Sequence, residues 1–308
     1  MRVMVLGSAA GGGFPQWNCA CSNCSSLRAG SFCGKPRTQT QIAISESGQT
    51  WFLLGASPDL RTQIEATHEL APQQGLRHSP ISGVVLASGD LDHVVGLLSL
   101  REMQPLRIYA TASIRRIVYE ENSMFGMLNR APGQTTWTDI APGTTFSLVG
   151  PQGEVSGLRC ETLPLQSHYP TYARAESKPY LKLEEALLGL IVEDRAGTRV
   201  AYLSAVPAID DRLLEQLEST DLLFFDGTFW SDDELLRIGG KQRAQDMGHI
   251  PISSADGSLQ RLSSLRRPRK IFIHINNTNP MLDESGSQYQ EMRAAGWEMA
   301  EDGWRFRR

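Results

Sequence analysis

The order of predicted strands and helices most constrains the fold of this 308-residue chain. Short apolar runs bounded by Gly and Ser predict hairpin-linked strands at 41–44 and 51–54. A second pair of strands around a turn is predicted at 188–192 and 200–203. In each half, further apolar strands then alternate with helical segments. This order favours two sheets packed face to face with helices outside. We therefore expect an α/β protein, an αββα sandwich of two mixed β-sheets, as one domain over residues 1–308.

Composition excludes several classes of function. Lys plus Arg total 30 and Asp plus Glu total 34, so the net charge of −4 gives no overall attraction to nucleic acid. No apolar run approaches the roughly 18 residues of a membrane-spanning helix. The apolar stretch from Val3 to Leu6 is also shorter than the roughly 7–15 residues of a signal-peptide core. We expect a cytoplasmic protein without membrane insertion or a nucleic-acid partner. The oligomeric state stays open, and a homodimer is among the states considered.

Four of the five cysteines lie close together, at positions 19, 21, 24 and 33. An odd number of cysteines in a reducing compartment argues against a disulfide framework, and the clustering argues for metal. Cys19, Cys21 and Cys24 predict a structural zinc site, because Zn²⁺ takes about four tetrahedral ligands and binds thiolates. The fourth ligand stays open between Cys33 and a His or Asn from a distant strand end. A loop of buried or redox-active cysteines is the alternative.

A second group of metal-ligand types follows the predicted strand at 83–86. Asp90, Asp92 and His93 lie in a loop that leads into a helix predicted over 91–103. Carboxylates and imidazole together form a mixed oxygen and nitrogen site suited to zinc, iron or manganese. The alternative is that Asp90 or Asp92 only caps the following helix.

Three other positions carry chemistry at the ends of strands or in polar loops. His274 lies near the end of the strand predicted over 270–275, and Asp226 directly follows an apolar strand. His249 lies in a polar stretch, where the alternative to a functional role is a hydrogen bond to a backbone carbonyl. His168 begins a long polar segment, predicted to be a functional or mobile loop, and its role as a ligand stays open.

The motifs in these loops resemble those of the coenzyme pyrroloquinoline quinone (PQQ) synthesis protein B family of the metallo-β-lactamase superfamily. Hydrolases of this superfamily carry H-x-H-x-D-H-x-x-G, of which this chain keeps the D-H-x-x-G at 92–96 and has Ser88 and Asp90 in place of the two leading histidines. The bridging Asp of the hydrolases is also replaced, because Ser204-Ala205 follows the corresponding strand. The matching stretches span nearly the full chain in order: 12–19, 56–61, 89–93, 226–228, 247–249 and 274–280.

The resemblance implies a ligand set at the active site. With Ser88 and Ala205 at ligand positions, one position of a two-metal hydrolase is largely dismantled. Asp92, His93 and His274 remain, with Asp90 nearby. Two histidines and a carboxylate are the ligands of non-haem Fe(II) oxygenases, which keep positions open for O2 and substrate. The residues suit iron, manganese and zinc alike, and for the Cys site the resemblance adds Asn277 as a candidate fourth ligand.

The resemblance also implies a pathway and a reaction. The family belongs to PQQ biosynthesis, in which a Glu and a Tyr of a precursor peptide are cross-linked, and an Fe(II) oxygenase would hydroxylate the tyrosine ring of the excised Glu-Tyr intermediate. A carrier that transports PQQ or its precursor out of the cytoplasm is one alternative, and a metallohydrolase acting on the precursor peptide is another. Similarity to phosphodiesterase relatives implies that His249 handles protons, with Asp226 as a further catalytic residue and His168 as a substitute candidate.

Overall fold

The fold is described from a computed structural model that covers residues 1–165 and 167–308. These residues contain fourteen β-strands and seven α-helices, and none of the helices is long and apolar enough to cross a membrane. The strands are β1 Arg2–Gly7, β2 Gln41–Ser45, β3 Trp51–Leu54, β4 Ile81–Val85, β5 Leu106–Ala110, β6 Thr135–Asp139, β7 Thr145–Val149, β8 Val155–Pro164, β9 Leu188–Glu193, β10 Arg199–Leu203, β11 Leu222–Asp226, β12 Arg269–Ile273, β13 Trp297–Met299 and β14 Arg305–Arg307. The helices are α1 Ser22–Arg28, α2 Leu60–Glu65, α3 Leu91–Val94, α4 Ala112–Arg115, α5 Asp211–Glu218, α6 Ser258–Arg261 and α7 Ser287–Ala294.

The described residues divide into two compact units, each assembled from separate segments of the chain. Unit 1 contains Met1–Gly7, Gln41–Thr198 and Gly303–Arg308, and unit 2 contains Ser8–Thr40 and Arg199–Asp302. The expectation of one domain over the whole chain stays a prediction.

Unit 1 is built on a seven-stranded sheet in the order β14-β1-β2-β3-β4-β5-β6. β1, β2 and β3 pair antiparallel, whereas β3 to β6 pair parallel. The β2–β3 pairing is the hairpin predicted for 41–44 and 51–54. A second layer of the same unit consists of the antiparallel strands β7, β8 and β9. The two layers meet at Tyr109 of β5, whose ring stacks on Phe146 of β7 with centroids 5.2 Å apart. The Tyr109 hydroxyl also accepts the Val149 N–H at 2.8 Å, so this buried polar group is satisfied across the layers.

Unit 2 contains the parallel strands β10, β11, β12 and β13. All five residues of β11 are buried, which explains why this strand reads as a continuous apolar run ending in a carboxylate. Because parallel strands end at the same edge, the carboxyl ends of β11 and β12 are neighbours, and Asp226 pairs in register with Ile273. Residues that follow these two strands are therefore brought together.

The predicted fold class is confirmed, since the strands form two mixed seven-stranded sheets with helices. β7 and β8 were not predicted from the sequence, and their residues include exposed as well as buried positions. The single helix predicted over 91–103 was wrong. It is a short α3 followed by a 3₁₀ helix at Val95–Leu100, in which Gly96 lies against the backbone of a neighbouring loop.

Candidate metal centres

Three thiols meet at the start of α1. Cys21 occupies the N-cap position, Cys24 lies in the first turn and is fully buried, and Cys19 lies just before the helix. The backbone N–H of Cys21 donates to the Cys19 Sγ at 3.4 Å. All three Sγ atoms lie within 4.8 Å of one another. The structure therefore brings together the three thiols on which the zinc prediction depends.

Asn277 faces this group of sulfurs from the loop after β12. Its Nδ2 lies 3.2 Å from Cys19 Sγ, 3.3 Å from Cys24 Sγ and 3.7 Å from Cys21 Sγ. The nitrogen and oxygen of an amide are assigned from the hydrogen bonds around them. Rotating the Asn277 amide by about 180° would therefore point Oδ1 at the three sulfurs instead of Nδ2. Cys33, the other candidate, is exposed and lies outside the group. Three thiols and one amide thus offer a four-donor set that fits Zn²⁺.

The protonation of the thiols also bears on the choice between metal and redox chemistry. Burial raises the pKa of Cys21 to about 11, which disfavours a reactive thiolate at neutral pH. Burial acts in the same direction on Cys19, but hydrogen bonds from Cys21, Cys24 and Asn277 together hold its pKa below the ordinary value. A metal that binds here must displace thiol protons, so its affinity will depend on pH.

The loop between β4 and α3 carries the second group of predicted ligands. Asp90 occupies the N-cap position, where its backbone carbonyl accepts the His93 N–H at 2.9 Å. Its carboxylate makes no capping hydrogen bond, so it does not serve as the helix cap. Asp92 is half-buried and His93 is buried, with 3.9 Å between Asp92 Oδ2 and His93 Nε2. A carboxylate and an imidazole therefore lie side by side beyond the end of β4.

The glycine of the D-H-x-x-G motif is required by a close backbone approach. The Gly96 N–H donates to the Ala56 carbonyl at 2.9 Å, and the Ala56 N–H donates to the His93 carbonyl at 2.7 Å. A Cβ atom at Gly96 would lie 2.1 Å from the Ser57 carbonyl oxygen, a distance no side chain tolerates. The packing of these two motif segments therefore fixes the backbone of His93.

The long segment 168–182 covers the start of this ligand loop. The Tyr172 hydroxyl donates to the Gly89 carbonyl, one residue before Asp90. Burial raises the pKa of Tyr172, and the Asp90 carboxylate acts in the same direction, so the hydroxyl keeps its proton. His168 is exposed and belongs to neither His-containing cluster of potential ligands within the described residues. The geometry thus gives His168 no support as a ligand.

A buried hydrogen-bond network lies at the carboxyl end of β11. Asp226 is fully buried, and its Oδ2 accepts the Val206 N–H at 2.9 Å and the His249 Nδ1–H at 2.9 Å. Its Oδ1 accepts both the N–H of Thr228 at 3.0 Å and the hydroxyl of Thr228 at 2.7 Å. Four donors saturate this carboxylate, which suits Asp226 to orienting its neighbours rather than binding a metal.

Thr228 connects this carboxylate to His274. Because the Thr228 hydroxyl donates to Asp226, its oxygen accepts the His274 Nδ1–H at 2.8 Å. This bond favours the tautomer in which Nε2 carries the lone pair, the form in which a histidine binds a metal. His274 has φ 59°, a left-handed conformation that is uncommon outside glycine and is concentrated at functional sites. Sequence reasoning missed Thr228, although the D-G-T motif after β11 was an available signal.

His249 lies beside His274, with ring centroids 5.4 Å apart and an interplanar angle of 21°. Ligand atoms of these two histidines and Asp226 lie within 4.8 Å of one another. The alternative was that His249 hydrogen-bonds a backbone carbonyl. In the structure, His249 Nδ1 bonds the Asp226 carboxylate instead. The bond to Asp226 therefore holds the His249 ring through Nδ1, and imidazole is the side chain that most often serves in acid–base catalysis.

Comparison with known proteins identifies the family. Residues 50–275 match the family model described as Beta-lactamase superfamily domain. Coenzyme PQQ synthesis protein B of Methylobacterium sp. (strain 4-46) is 41% identical over 98% of both chains, and that of Acinetobacter baumannii (strain ACICU) is 40% identical over the same share. The crystal structure of Zn(2+)-bound PqqB from Methylobacterium extorquens matches with a TM-score of 0.91 and 39% identity, covering 100% of each chain.

These similarities extend over the whole length of the chain rather than over one motif. They include both the cysteine-containing segment and the loops that carry the predicted His and Asp ligands. The chain therefore belongs to the coenzyme PQQ synthesis protein B family of the metallo-β-lactamase superfamily.

Proposed function

We propose that this chain is a mononuclear Fe(II)-dependent oxygenase of PQQ biosynthesis. Its proposed substrate is the Glu-Tyr derived intermediate, whose tyrosine ring it hydroxylates. Membership of the PQQ synthesis protein B family supports the pathway. The observation that carries the metal chemistry is the hydrogen bond of His274 Nδ1 to Thr228 at 2.8 Å, which favours the tautomer with the lone pair on Nε2, the form that binds a metal.

The proposed ligands are Asp92, His93 and His274, with Asp90 in the ligand shell or next to it. Two imidazoles and one carboxylate match the ligand set of non-haem Fe(II) oxygenases. Support comes from the adjacent Asp92 and His93 side chains and from the favoured tautomer of His274. Bound Fe(II) would supply O2 activation at its remaining coordination positions.

The residues at three other positions argue against a two-metal hydrolase. Such an enzyme needs a bridging carboxylate and further nitrogen ligands. Ser88 and Ala205 are unable to replace these groups, because one is a hydroxyl and the other has no donor. The Asp226 carboxylate is already saturated by four hydrogen bonds.

The proposed role of His249 is to hydrogen-bond the substrate phenol and relay its proton. The bond between His249 Nδ1 and Asp226 holds the ring and assigns proton exchange to Nε2. Asp226 acts through His249 and through Thr228, so it is a positioning residue in this proposal. A buried carboxylate next to the ring also stabilises the protonated imidazole.

A structural role is proposed for zinc at the cysteine cluster. Cys19, Cys21 and Cys24 would supply thiolates and Asn277 an amide oxygen. Support comes from the convergence of the three sulfurs and from the 3.2–3.7 Å separation of the amide from them. The relative from Methylobacterium extorquens is described as Zn(2+)-bound.

The central prediction concerns turnover. Aerobic protein reconstituted with Fe(II) and supplied with the Glu-Tyr intermediate and ascorbate as electron donor should yield a product heavier by one oxygen atom. The product should carry heavy oxygen when ¹⁸O2 is supplied, as measured by mass spectrometry. Loss of the reaction without O2 is the matching control. Tight binding of PQQ without turnover would favour the carrier, and oxygen-independent cleavage of the precursor peptide would favour the hydrolase.

A second prediction tests the hydrogen bond that orients His274. Thr228→Val keeps the side-chain shape but removes the hydroxyl, so Fe(II) affinity should fall by about 10–100-fold. Thr228→Ser keeps the hydroxyl and should bind Fe(II) nearly as well as the unchanged protein. Anaerobic titration with Fe(II) measures both. Equal affinities for the Val and Ser variants would show that this bond does not orient a ligand.

A third prediction concerns the cysteine cluster. Cys21→Ser should lower both the zinc content and the melting temperature, because binding energy of a structural metal is folding energy. Cys33→Ser is the matched control, since Cys33 is exposed and lies outside the cluster. Zinc content is measured by elemental analysis and melting by circular dichroism. A Cys21→Ser protein that keeps both values would eliminate the structural zinc.

The fourth prediction separates proton transfer from metal binding. His249→Ala should retain Fe(II) but lower turnover by roughly 10²-fold or more, the usual contribution of a positioned acid–base group. His168→Ala should be unaffected in both measurements, because His168 is exposed. Normal turnover in His249→Ala would assign this histidine a structural role.

A further inference from the structure

A positively charged groove lies in unit 1, and none of the predicted metal ligands lines it. It encloses about 400 Å³ and is lined by Arg77, Arg101, Glu102, Met103, Gln104 and Arg130. Arg101 and Glu102 form an exposed ion pair at 3.6 Å, which neutralises one of the three arginines. Arg77 and Arg130 form no ion pair within the described parts of the chain. The groove is thus cationic on a chain whose net charge is −4.

A buried side chain holds the walls of this groove in place. Gln134 is 3% exposed, and its Oε1 accepts the backbone N–H of Arg130 at 2.9 Å and that of Ala131 at 3.3 Å. Its Nε2 donates to the carbonyls of Arg101 at 3.1 Å and Met127 at 3.3 Å. One amide therefore ties together the backbone segments that carry Arg101 and Arg130. Because these two segments are already held together, less conformational entropy is lost when the groove binds a ligand.

Apolar side chains accompany the arginines. Met103 lines the groove, is 51% exposed and has φ 62°, a conformation that non-glycine residues rarely adopt. Met127 and Leu76 do not line the groove but belong to segments that contribute to it: the Met127 carbonyl accepts a hydrogen bond from Gln134, and Leu76 precedes Arg77. Met127 is 38% exposed and Leu76 is fully exposed. Flexible, polarisable methionines are common on surfaces that bind peptides. This combination is poorly suited to a small inorganic anion, which would use only the charges.

We propose that this groove binds an acidic segment of a partner polypeptide. Arg77 and Arg130 would pair with carboxylates of the segment, and Met103 would contact one of its apolar side chains. Guanidinium groups recognise carboxylates through paired hydrogen bonds, which gives orientation as well as attraction. A nucleic acid is disfavoured as the occupant, because the basic area is small and the rest of the chain is acidic.

Fluorescence anisotropy tests this proposal with a fluorescein-labelled peptide of sequence Glu-Glu-Phe-Glu-Glu-Leu-Glu-Glu. The full chain should bind this probe, and Arg77→Glu/Arg130→Glu should weaken the Kd by about tenfold or more through charge repulsion. The matched control is Arg212→Glu/Arg61→Glu, which makes the same charge change at exposed positions outside the groove and should leave the Kd within about twofold. Melting curves verify that the variants fold. If Arg77→Glu/Arg130→Glu does not fold, Arg77→Gln/Arg130→Gln takes its place.

Three results would overturn the proposal. The first is an absence of probe binding to the full chain, or an equal Kd for the full chain and for the groove variants. The second is an equal loss in the control variant, which would indicate nonspecific attraction. The third is equally tight binding, through the same arginines, of a labelled deoxythymidine oligonucleotide, which would show a general polyanion site.

A peptide that is otherwise identical but has Gln in place of Glu should bind about tenfold more weakly or worse.

Discussion

The buried Asp226 carboxylate organises the chemistry of unit 2. Burying an ionised group without partners is very costly, and this one is compensated by four hydrogen bonds from Val206, Thr228 and His249. Because every lone pair of Asp226 is used, both the Thr228 hydroxyl and the His249 ring have one favoured orientation. The orientation of Thr228 then favours one tautomer of His274. Removing this single carboxylate would release two histidines at once.

The loop after β12 connects this network to the cysteine cluster. His274 and Asn277 are three residues apart, one bonded to Thr228 and the other facing the three sulfurs. Asn279 completes the loop, because its Nδ2 donates to the carbonyls of Gly227 at 2.9 Å and Thr228 at 3.3 Å. Three side chains of the segment 274–280 therefore have defined partners, which tie this loop to both sites. A zinc ion held by Asn277 would stabilise the same loop that holds His274 in its left-handed conformation.

Sequence reasoning succeeded where the signal is local and failed where it depends on tertiary contacts. Cys19, Cys21 and Cys24 are close in sequence, so their convergence follows from a single turn of chain. The link from Thr228 to His274 joins residues 46 positions apart, and no spacing rule predicts it. Cys33 is the nearest candidate by sequence for the fourth position, but it is exposed, and Asn277 from a distant loop faces the sulfurs. Proximity in sequence does not predict that contact.

The hydrogen bonds of the histidines also bear on the proposed chemistry. The resemblance to the superfamily implies that Ser88 and Ala205 occupy ligand positions of hydrolases, whereas Thr228 and Asp226 still orient His274 and His249. Such outer partners set the direction and basicity of a ligand independently of how many ligands there are. On the proposed ligand set, a site with fewer ligands and these partners intact would hold one metal and keep coordination positions open. The proposed oxygenase would therefore depend on the hydrogen-bond network as much as on the ligands themselves.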